Sequence, residues 1–135
     1  MNGAEVRVYS LAKDGHKYIT PHFQVKEFAC HDKSDTIFIS YKLPLLLEQI
    51  RTAAGNKPVK INSGYRTDYY NSKTKGSAQF SQHLYGMAAD ITIPGVTPKQ
   101  IAAIAEKLMP NAGGIGIYSA FCHVDVRPQK SRWNG

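Results

Sequence analysis

Two histidines and one aspartate occur in two short segments of a chain of 135 residues. His83 and Asp90 lie in the segment SQHLYGMAAD, and His123 lies in the segment FCHVDVR. Two imidazoles and one carboxylate with an open fourth position form a donor set of catalytic zinc, because the open position holds the water that is activated. These residues therefore offer a zinc site if the fold brings them together.

The segment that contains His123 places three polar residues at alternate positions. On a strand, His123, Asp125 and Arg127 would project from the same face. Each candidate also has a simpler interpretation: a histidine near a strand is often packed and hydrogen-bonded, and Asp90 alone can cap a turn. The spacing by itself leaves both interpretations open.

Helices and strands are expected around these segments. Apolar residues recur at helical spacing over 40–54, with Ser40 as the expected N-cap, and a second helix is expected to open at Thr97. The expected strands cover 57–62 and 86–93, together with a hairpin of 114–118 and 121–127. The polar stretch 67–79 predicts a short helix followed by a mobile loop. This mixture predicts an α+β fold with an antiparallel sheet.

Composition restricts the class of protein. With 42% hydrophobic residues, the chain is expected to form a single domain over residues 1–135. The net charge of +7 favours an anionic partner, but the cations form no basic run, so no nucleic acid partner is expected. Cys30 and Cys122 are too few for a disulfide framework and are expected to be buried free thiols.

No targeting or membrane segment is recognisable. The N-terminal residues lack the continuous apolar stretch of a secretory signal, and no run is long enough to insert into a membrane. The chain is therefore expected to be made in the cytoplasm, and an extracellular substrate would be reached through lysis, a pore or a carrier particle.

Three ordered motifs resemble the M15 metallopeptidases. Residues 81–90 resemble the SxHxxGxAxD motif of that family, residues 63–66 resemble its SGYR turn, and residues 113–126 with Arg132 and Trp133 resemble its GGIGxYxxxxHVDV…RW ending. The family comprises D-alanyl-D-alanine carboxypeptidases and cell-wall endopeptidases and shares its fold with the Hedgehog signalling domain. The resemblance implies that fold, a small antiparallel sheet flanked by helices, in a core of about 21–135 preceded by an N-terminal extension over 1–20.

The resemblance also implies the roles of individual residues. His83, Asp90 and His123 would bind Zn²⁺, Arg66 would clamp the substrate or stabilise the oxyanion, and Ser81 would help to hold the peptide. The better-known carboxypeptidases carry a glutamate shortly before the last histidine, whereas residues 118–122 contain no carboxylate. Asp125 is the substitute general base, and the alternative is that it orients the imidazole of His123 or balances Arg127.

The function implied by the resemblance is a zinc-dependent peptidase that hydrolyses peptidoglycan stem or cross-link peptides containing D-amino acids. It would act on the bacterial cell wall as a monomeric carboxypeptidase or endopeptidase, and the missing signal makes a phage or prophage endolysin attractive. The missing glutamate supports an alternative, an inactive zinc-containing module that binds the cell wall or has a structural role. The sequence does not identify the bond that is cut, because pocket shape decides it.

Overall fold

The computed structural model describes residues 5–73 and 81–135 and combines helices with short strands. The strands are β1 (Val6–Ser10), β2 (Tyr18–Thr20), β3 (Phe23–Gln24), β4 (Thr36–Ser40), β5 (Lys60–Ser63), β6 (Ala88–Thr92), β7 (Gly114–Ile117), β8 (Cys122–Asp125) and β9 (Ser131–Asn134). The α-helices are α1 (Leu11–Asp14), α2 (Lys42–Ala53), α3 (Asp68–Lys73) and α4 (Pro98–Leu108), and 3₁₀ helices cover Val25–Phe28 and Gln82–Tyr85. The α+β class is confirmed.

A five-stranded sheet in the order β5-β6-β8-β7-β9 forms the centre of the fold. Its neighbouring strands are antiparallel except for β7 and β9, which run parallel. The hairpin of β7 and β8 is confirmed, with Gly116 opposite His123. The register of β6 against β8 places Asp90 opposite His123. Two predicted ligands thus become neighbours, although they are 33 positions apart in the chain.

One face of this sheet packs against helices. Ile115, Cys122 and Val124 belong to the buried apolar core, to which α2 contributes Leu47 and α4 contributes Ile101. Because side chains alternate along a strand, the residues between them face the other side of the sheet. His123 therefore projects away from the helices, on the face that remains available for a site.

The start of α2 differs from the sequence prediction. Ser40 is the last residue of β4 and not the N-cap, which is Tyr41 and makes no capping bond through its side chain. The reason is strand pairing: Ser40 lies opposite Val6 of β1, and its backbone N–H donates to the carbonyl of Gly86 at 2.8 Å. The local pattern did not predict this two-stranded sheet of β1 and β4. Because Ser40 pairs within the sheet, it does not cap α2.

The second predicted helix begins where expected. The Thr97 hydroxyl accepts a hydrogen bond from the Gln100 N–H at 3.1 Å, and the Gln100 side chain accepts one from the Thr97 N–H at 2.8 Å. This reciprocal capping box fixes the first turn of α4. The short helix expected after residue 67 is α3, and the predicted loop beyond it lies outside the described residues. Within 5–73 and 81–135, no helix is long and apolar enough to cross a membrane.

Gly86 links the 3₁₀ helix Gln82–Tyr85 to β6 through a left-handed backbone conformation. Its φ is +69°, and a Cβ atom added there would lie 2.1 Å from the carbonyl oxygen of Phe38. We expect Gly86→Ala to lower the free energy of unfolding by about 3 kcal/mol or more, because backbone strain and a clash with another backbone add together. Urea denaturation measures this loss.

Gly55 is the matched control for this substitution. Its φ is +83°, but a Cβ atom there would meet nothing within 4 Å. Gly55→Ala should therefore cost only the left-handed backbone preference, about 1–2 kcal/mol. Equal losses at the two positions would show that the contact between Gly86 and β4 does not constrain the fold.

Candidate metal centre

The structure brings the three predicted metal ligands together. His83 lies in the 3₁₀ helix, Asp90 on β6 and His123 on β8, and one ligand atom from each lies within 4.8 Å of the others. The Asp90 Oδ1 atom is 3.3 Å from His83 Nε2 and 3.0 Å from His123 Nδ1. All three residues are buried, with 2%, 5% and 6% of their surfaces exposed. Such a compact, buried set of two imidazoles and a carboxylate fits a divalent metal ion such as zinc.

Hydrogen bonds on the far side of each ring fix which nitrogen faces this centre. Nδ1 of His83 donates to the carbonyl of Gly64 at 2.7 Å, and Nε2 of His123 donates to Asp125 Oδ2 at 2.7 Å. His83 Nε2 and His123 Nδ1 are therefore the nitrogens directed at Asp90. Metal-binding histidines commonly have such outer partners, which hold both the tautomer and the ring orientation.

Ser81 positions His83 through the backbone. The Ser81 hydroxyl accepts a hydrogen bond from the His83 N–H at 3.2 Å and so caps the 3₁₀ helix. The Gly64 carbonyl that holds the His83 ring belongs to the SGYR turn, which follows directly on β5. The SxHxxGxAxD motif and the SGYR turn thus both contribute to holding the candidate ligand His83.

Asp125 is enclosed by hydrogen-bond donors. It is fully buried, and its Oδ1 accepts from the Gly114 N–H at 2.8 Å, the Arg127 N–H at 3.1 Å and Arg127 Nε at 2.8 Å. Its Oδ2 accepts from Arg127 Nη2 and from His123 Nε2, both at 2.7 Å. Burial raises the pKa of Asp125, but the hydrogen bonds from His123 and Arg127 outweigh burial and hold that pKa well below its ordinary value. Asp125 is therefore an ionised carboxylate with five donors.

Two of the three candidate ligands have the charge state that a metal ion requires. Burial raises the pKa of Asp90, but hydrogen bonds from His123 and His83 leave it well below its ordinary value, so this carboxylate is ionised. Burial lowers the pKa of His83, which favours the neutral imidazole. Burial also lowers the pKa of His123, but the hydrogen bonds to Asp125 and Asp90 raise it overall. A metal ion bound here would therefore have to displace a proton from His123.

Arg66 brings a positive charge to the edge of the centre. Its Nη2 atom lies 3.3 Å from Asp90 Oδ2, Nε donates to the Ser63 hydroxyl at 3.2 Å, and Nη1 donates to Asn71 Oδ1 at 3.4 Å. Its backbone N–H donates to the His83 carbonyl at 3.1 Å. Only 12% of the side chain is exposed. The guanidinium is thus held beside the ligands by three different side chains.

Comparison with known proteins identifies the family to which this site belongs. The sequence model of the Peptidase M15 family matches residues 21–125, a range that contains all three candidate ligands and Arg66. The chain belongs to the M15 peptidase family. The recognition made from the SxHxxGxAxD, SGYR and HVDV motifs is confirmed.

Several curated proteins are similar to this M15 family member. The peptidoglycan L,D-endopeptidase MepK of Escherichia coli strain K12 is 35% identical over 97 residues, which cover 64% of this chain and 52% of MepK. A probable MepK of Haemophilus influenzae is 35% identical over 86 residues, which cover 59% of this chain and 45% of that protein. The zinc D-Ala-D-Ala carboxypeptidase of Streptomyces albus G is 44% identical over 60 residues, which cover 44% of this chain and 22% of the carboxypeptidase. The chain spans about half the length or less of these relatives.

Trp133 lies beside the candidate ligand His123 in this M15 family member. β9 places it opposite Gly116, and its ring centroid lies 5.0 Å from that of His123. A Cβ atom at position 116 would lie 2.5 Å from the indole, so only glycine permits this approach. The indole Nε1 donates to the Tyr118 hydroxyl at 2.9 Å. The indole thus places a large aromatic surface directly beside His123.

The two cysteines are buried free thiols, as predicted. Burial, together with the negative charge of Asp90, raises the pKa of the Cys122 thiol to about 12. At pH 8 only about one molecule in 10⁴ would carry the reactive thiolate. We therefore expect iodoacetamide to leave Cys122 unmodified in the native protein and to alkylate it after unfolding in urea, as measured by peptide mass spectrometry. Rapid alkylation of native Cys122 would contradict its placement in the core.

Proposed function

We propose that this chain is a zinc-dependent peptidase that hydrolyses peptidoglycan stem or cross-link peptides containing D-amino acids. The observation that carries the proposal is the convergence of His83 Nε2, Asp90 and His123 Nδ1 within 4.8 Å, with both rings held from behind. Membership of the M15 family, together with similarity to the L,D-endopeptidase MepK of Escherichia coli and the D-Ala-D-Ala carboxypeptidase of Streptomyces albus G, supports the same reaction and substrate class.

The proposed roles follow from the contacts. His83, Asp90 and His123 would hold the zinc ion, which when bound supplies a Lewis acid that activates water and polarises the scissile carbonyl. Arg66 would clamp the substrate or stabilise the negative charge that develops on the carbonyl oxygen. Ser81 already accepts a hydrogen bond from the His83 N–H, so its hydroxyl would contact the peptide as a donor.

Asp125 has two candidate roles, and its contacts favour one of them. A general base needs an oxygen that can reach the proton it removes. Both oxygens of Asp125 are occupied by donors within the protein, and the residue is fully buried. We therefore propose that Asp125 is a positioning residue that orients the imidazole of His123, as the outer carboxylates of metal sites do.

A second candidate function is a zinc-containing module that binds the cell wall without cleaving it. The observation that favours it is the same enclosure of Asp125, since residues 118–122 carry no other carboxylate near His123. This candidate predicts a protein that retains zinc and binds peptidoglycan but releases no new amino groups.

The proposed function also includes the domain organisation, the charge and the delivery of the chain. We propose one domain over residues 1–135, because β1 pairs with β4 and so packs residues 6–10 onto the rest of the described chain. The charge of +7 would favour approach to an anionic wall. A monomeric endolysin or carboxypeptidase delivered by lysis or by a carrier particle is the form of this activity that we propose.

Defined peptides test the proposed substrate class. Purified stem and cross-linked peptides are incubated with the zinc-loaded protein, and the products are identified by mass spectrometry. We expect one type of bond to be cleaved, and the product masses identify it as D,D or L,D. If the zinc-loaded protein binds the peptides but cleaves none, the non-catalytic module becomes the better account.

A further inference from the structure

We propose that Arg127 recognises a carboxylate of the peptide substrate beside the metal centre. This inference rests on the proposed peptidase function and concerns specificity, which that function leaves open. Arg127 would then have a role in addition to balancing the charge of Asp125.

The guanidinium of Arg127 is held along one edge only. Its Nε and Nη2 atoms donate to the two oxygens of Asp125 at 2.8 and 2.7 Å. Within residues 5–73 and 81–135, Nη1 has no hydrogen-bond partner. A guanidinium carries five N–H donors in a planar fork, so the edge formed by Nη1 and the second N–H of Nη2 can take another carboxylate in a bidentate pair.

Arg127 lies next to the aromatic side chain that borders His123. Its Cζ atom lies 5.4 Å from the centre of the Trp133 ring, and that ring lies 5.0 Å from the ring of His123. The Arg127 side chain is 24% exposed, whereas the Asp125 side chain is fully buried. The guanidinium therefore connects the buried carboxylate that orients a metal ligand with the surface that a bound peptide would contact.

The fixed orientation of the Arg127 guanidinium favours recognition of a carboxylate. The bidentate pair with Asp125 and the contact with Trp133 fix the orientation of the guanidinium before any ligand arrives, which reduces the entropy lost on binding. A lysine could neutralise Asp125 equally well, but its single ammonium group has no second planar edge. The choice between arginine and lysine thus separates charge balance from carboxylate recognition.

Two sources of carboxylate fit this chemistry. One is the α-carboxylate at the end of a peptide, and the other is a carboxylate on a side chain or branch of an internal residue. The first would favour a carboxypeptidase and the second an endopeptidase. Peptides in which one or the other carboxylate is converted to an amide distinguish them.

The experiment compares hydrolysis of acid and amide peptides by the zinc-loaded wild type, Arg127→Gln, Arg127→Lys and Lys130→Gln. Lys130 is the matched charge control, since its side chain is 50% exposed and lies 3.9 Å from Glu106. Binding is followed in parallel by the fluorescence of Trp133, which is the only tryptophan of the chain. This signal needs no turnover, so a protein that binds without cleaving contradicts the peptidase proposal and still tests Arg127.

We expect amidation of one carboxylate to lower the kcat/KM of the wild type, or its affinity for the peptide, by about 10- to 100-fold. This is the range of a charge-assisted hydrogen bond. Both Arg127 variants should lose most of this discrimination while they retain zinc, and Lys130→Gln should keep it. If no peptide binds, if amidation never matters, or if the Arg127 variants weaken acid and amide peptides equally, the proposal is wrong.

Discussion

Replacing His83 by alanine is expected to abolish zinc binding and peptide hydrolysis together. His83 Nε2 is one of the three donors, and its ring is already oriented by the Gly64 carbonyl at 2.7 Å. With two donors left, the site can no longer hold zinc against dialysis. The zinc content, measured by plasma mass spectrometry, should fall from about one per chain to almost none. The rate on a defined peptide should fall by about 10³-fold or more, because the Lewis acid contributes several kcal/mol to the transition state.

His22 offers a matched histidine for this experiment. Its side chain is 46% exposed and pairs with Glu48 of α2 at 2.7 Å, outside the metal centre. His22→Ala should keep both the zinc and the rate. A His83→Ala protein that retains zinc and turnover would show that the three residues are a packed polar cluster and not a metal site.

Replacing Arg66 by glutamine is expected to have the second largest effect, and here zinc should remain bound. Arg66 is not among the three metal ligands, but its guanidinium lies 3.3 Å from Asp90 Oδ2 at the edge of the centre. The loss of a preorganised charge at that edge should lower kcat/KM by about 10²- to 10³-fold, which is typical of removing one oxyanion donor. Steady-state kinetics and the zinc content are measured on the same preparations.

Arg7→Gln is the control for the loss of an arginine. Arg7 lies on β1, where its guanidinium packs over the Tyr41 ring at 4.6 Å. Its replacement should leave kcat/KM within a few-fold of the wild type. If Arg66→Gln loses zinc in proportion to its activity, Arg66 acts by holding Asp90 and not by contacting the substrate.

The sequence predicted those parts of the site that depend on residue type and short spacing. The alternation of His123, Asp125 and Arg127 predicted a shared face, and Asp125 indeed contacts both neighbours. The 3.6-residue period predicted the helices over 40–54 and after Thr97, because an amphipathic pattern is local. Placing Asp90 opposite His123 depends instead on the register between β6 and β8, which no local pattern contains.

The missed elements have a common physical cause. β1 and β9 are short strands without a fully buried residue, so their alternation is too weak to detect. Without β9 the sequence could not place Trp133 beside His123, nor explain why Gly116 must lack a side chain. The Gly64 carbonyl that holds His83 was also missed, because a backbone acceptor leaves no signature in residue type.

The role of Asp125 cannot be assigned from residue type alone. A carboxylate two positions after a metal-binding histidine suits either a general base or a partner that orients the ring. The contacts favour the orienting partner, since the Gly114 N–H and the Arg127 guanidinium occupy the oxygens that a base would need. These contacts support the proposed positioning role of Asp125, which the sequence left open.

The most direct test of the central claim is the release of amino groups from purified peptidoglycan. The protein is assayed when loaded with zinc, after chelation, after zinc is restored, and as the zinc-treated His83→Ala variant. We predict release by the zinc-loaded protein, its loss on chelation, its recovery with added zinc, and no release by the variant. Absence of release from a fully zinc-loaded wild type, or release that survives both chelation and His83→Ala, would contradict the account.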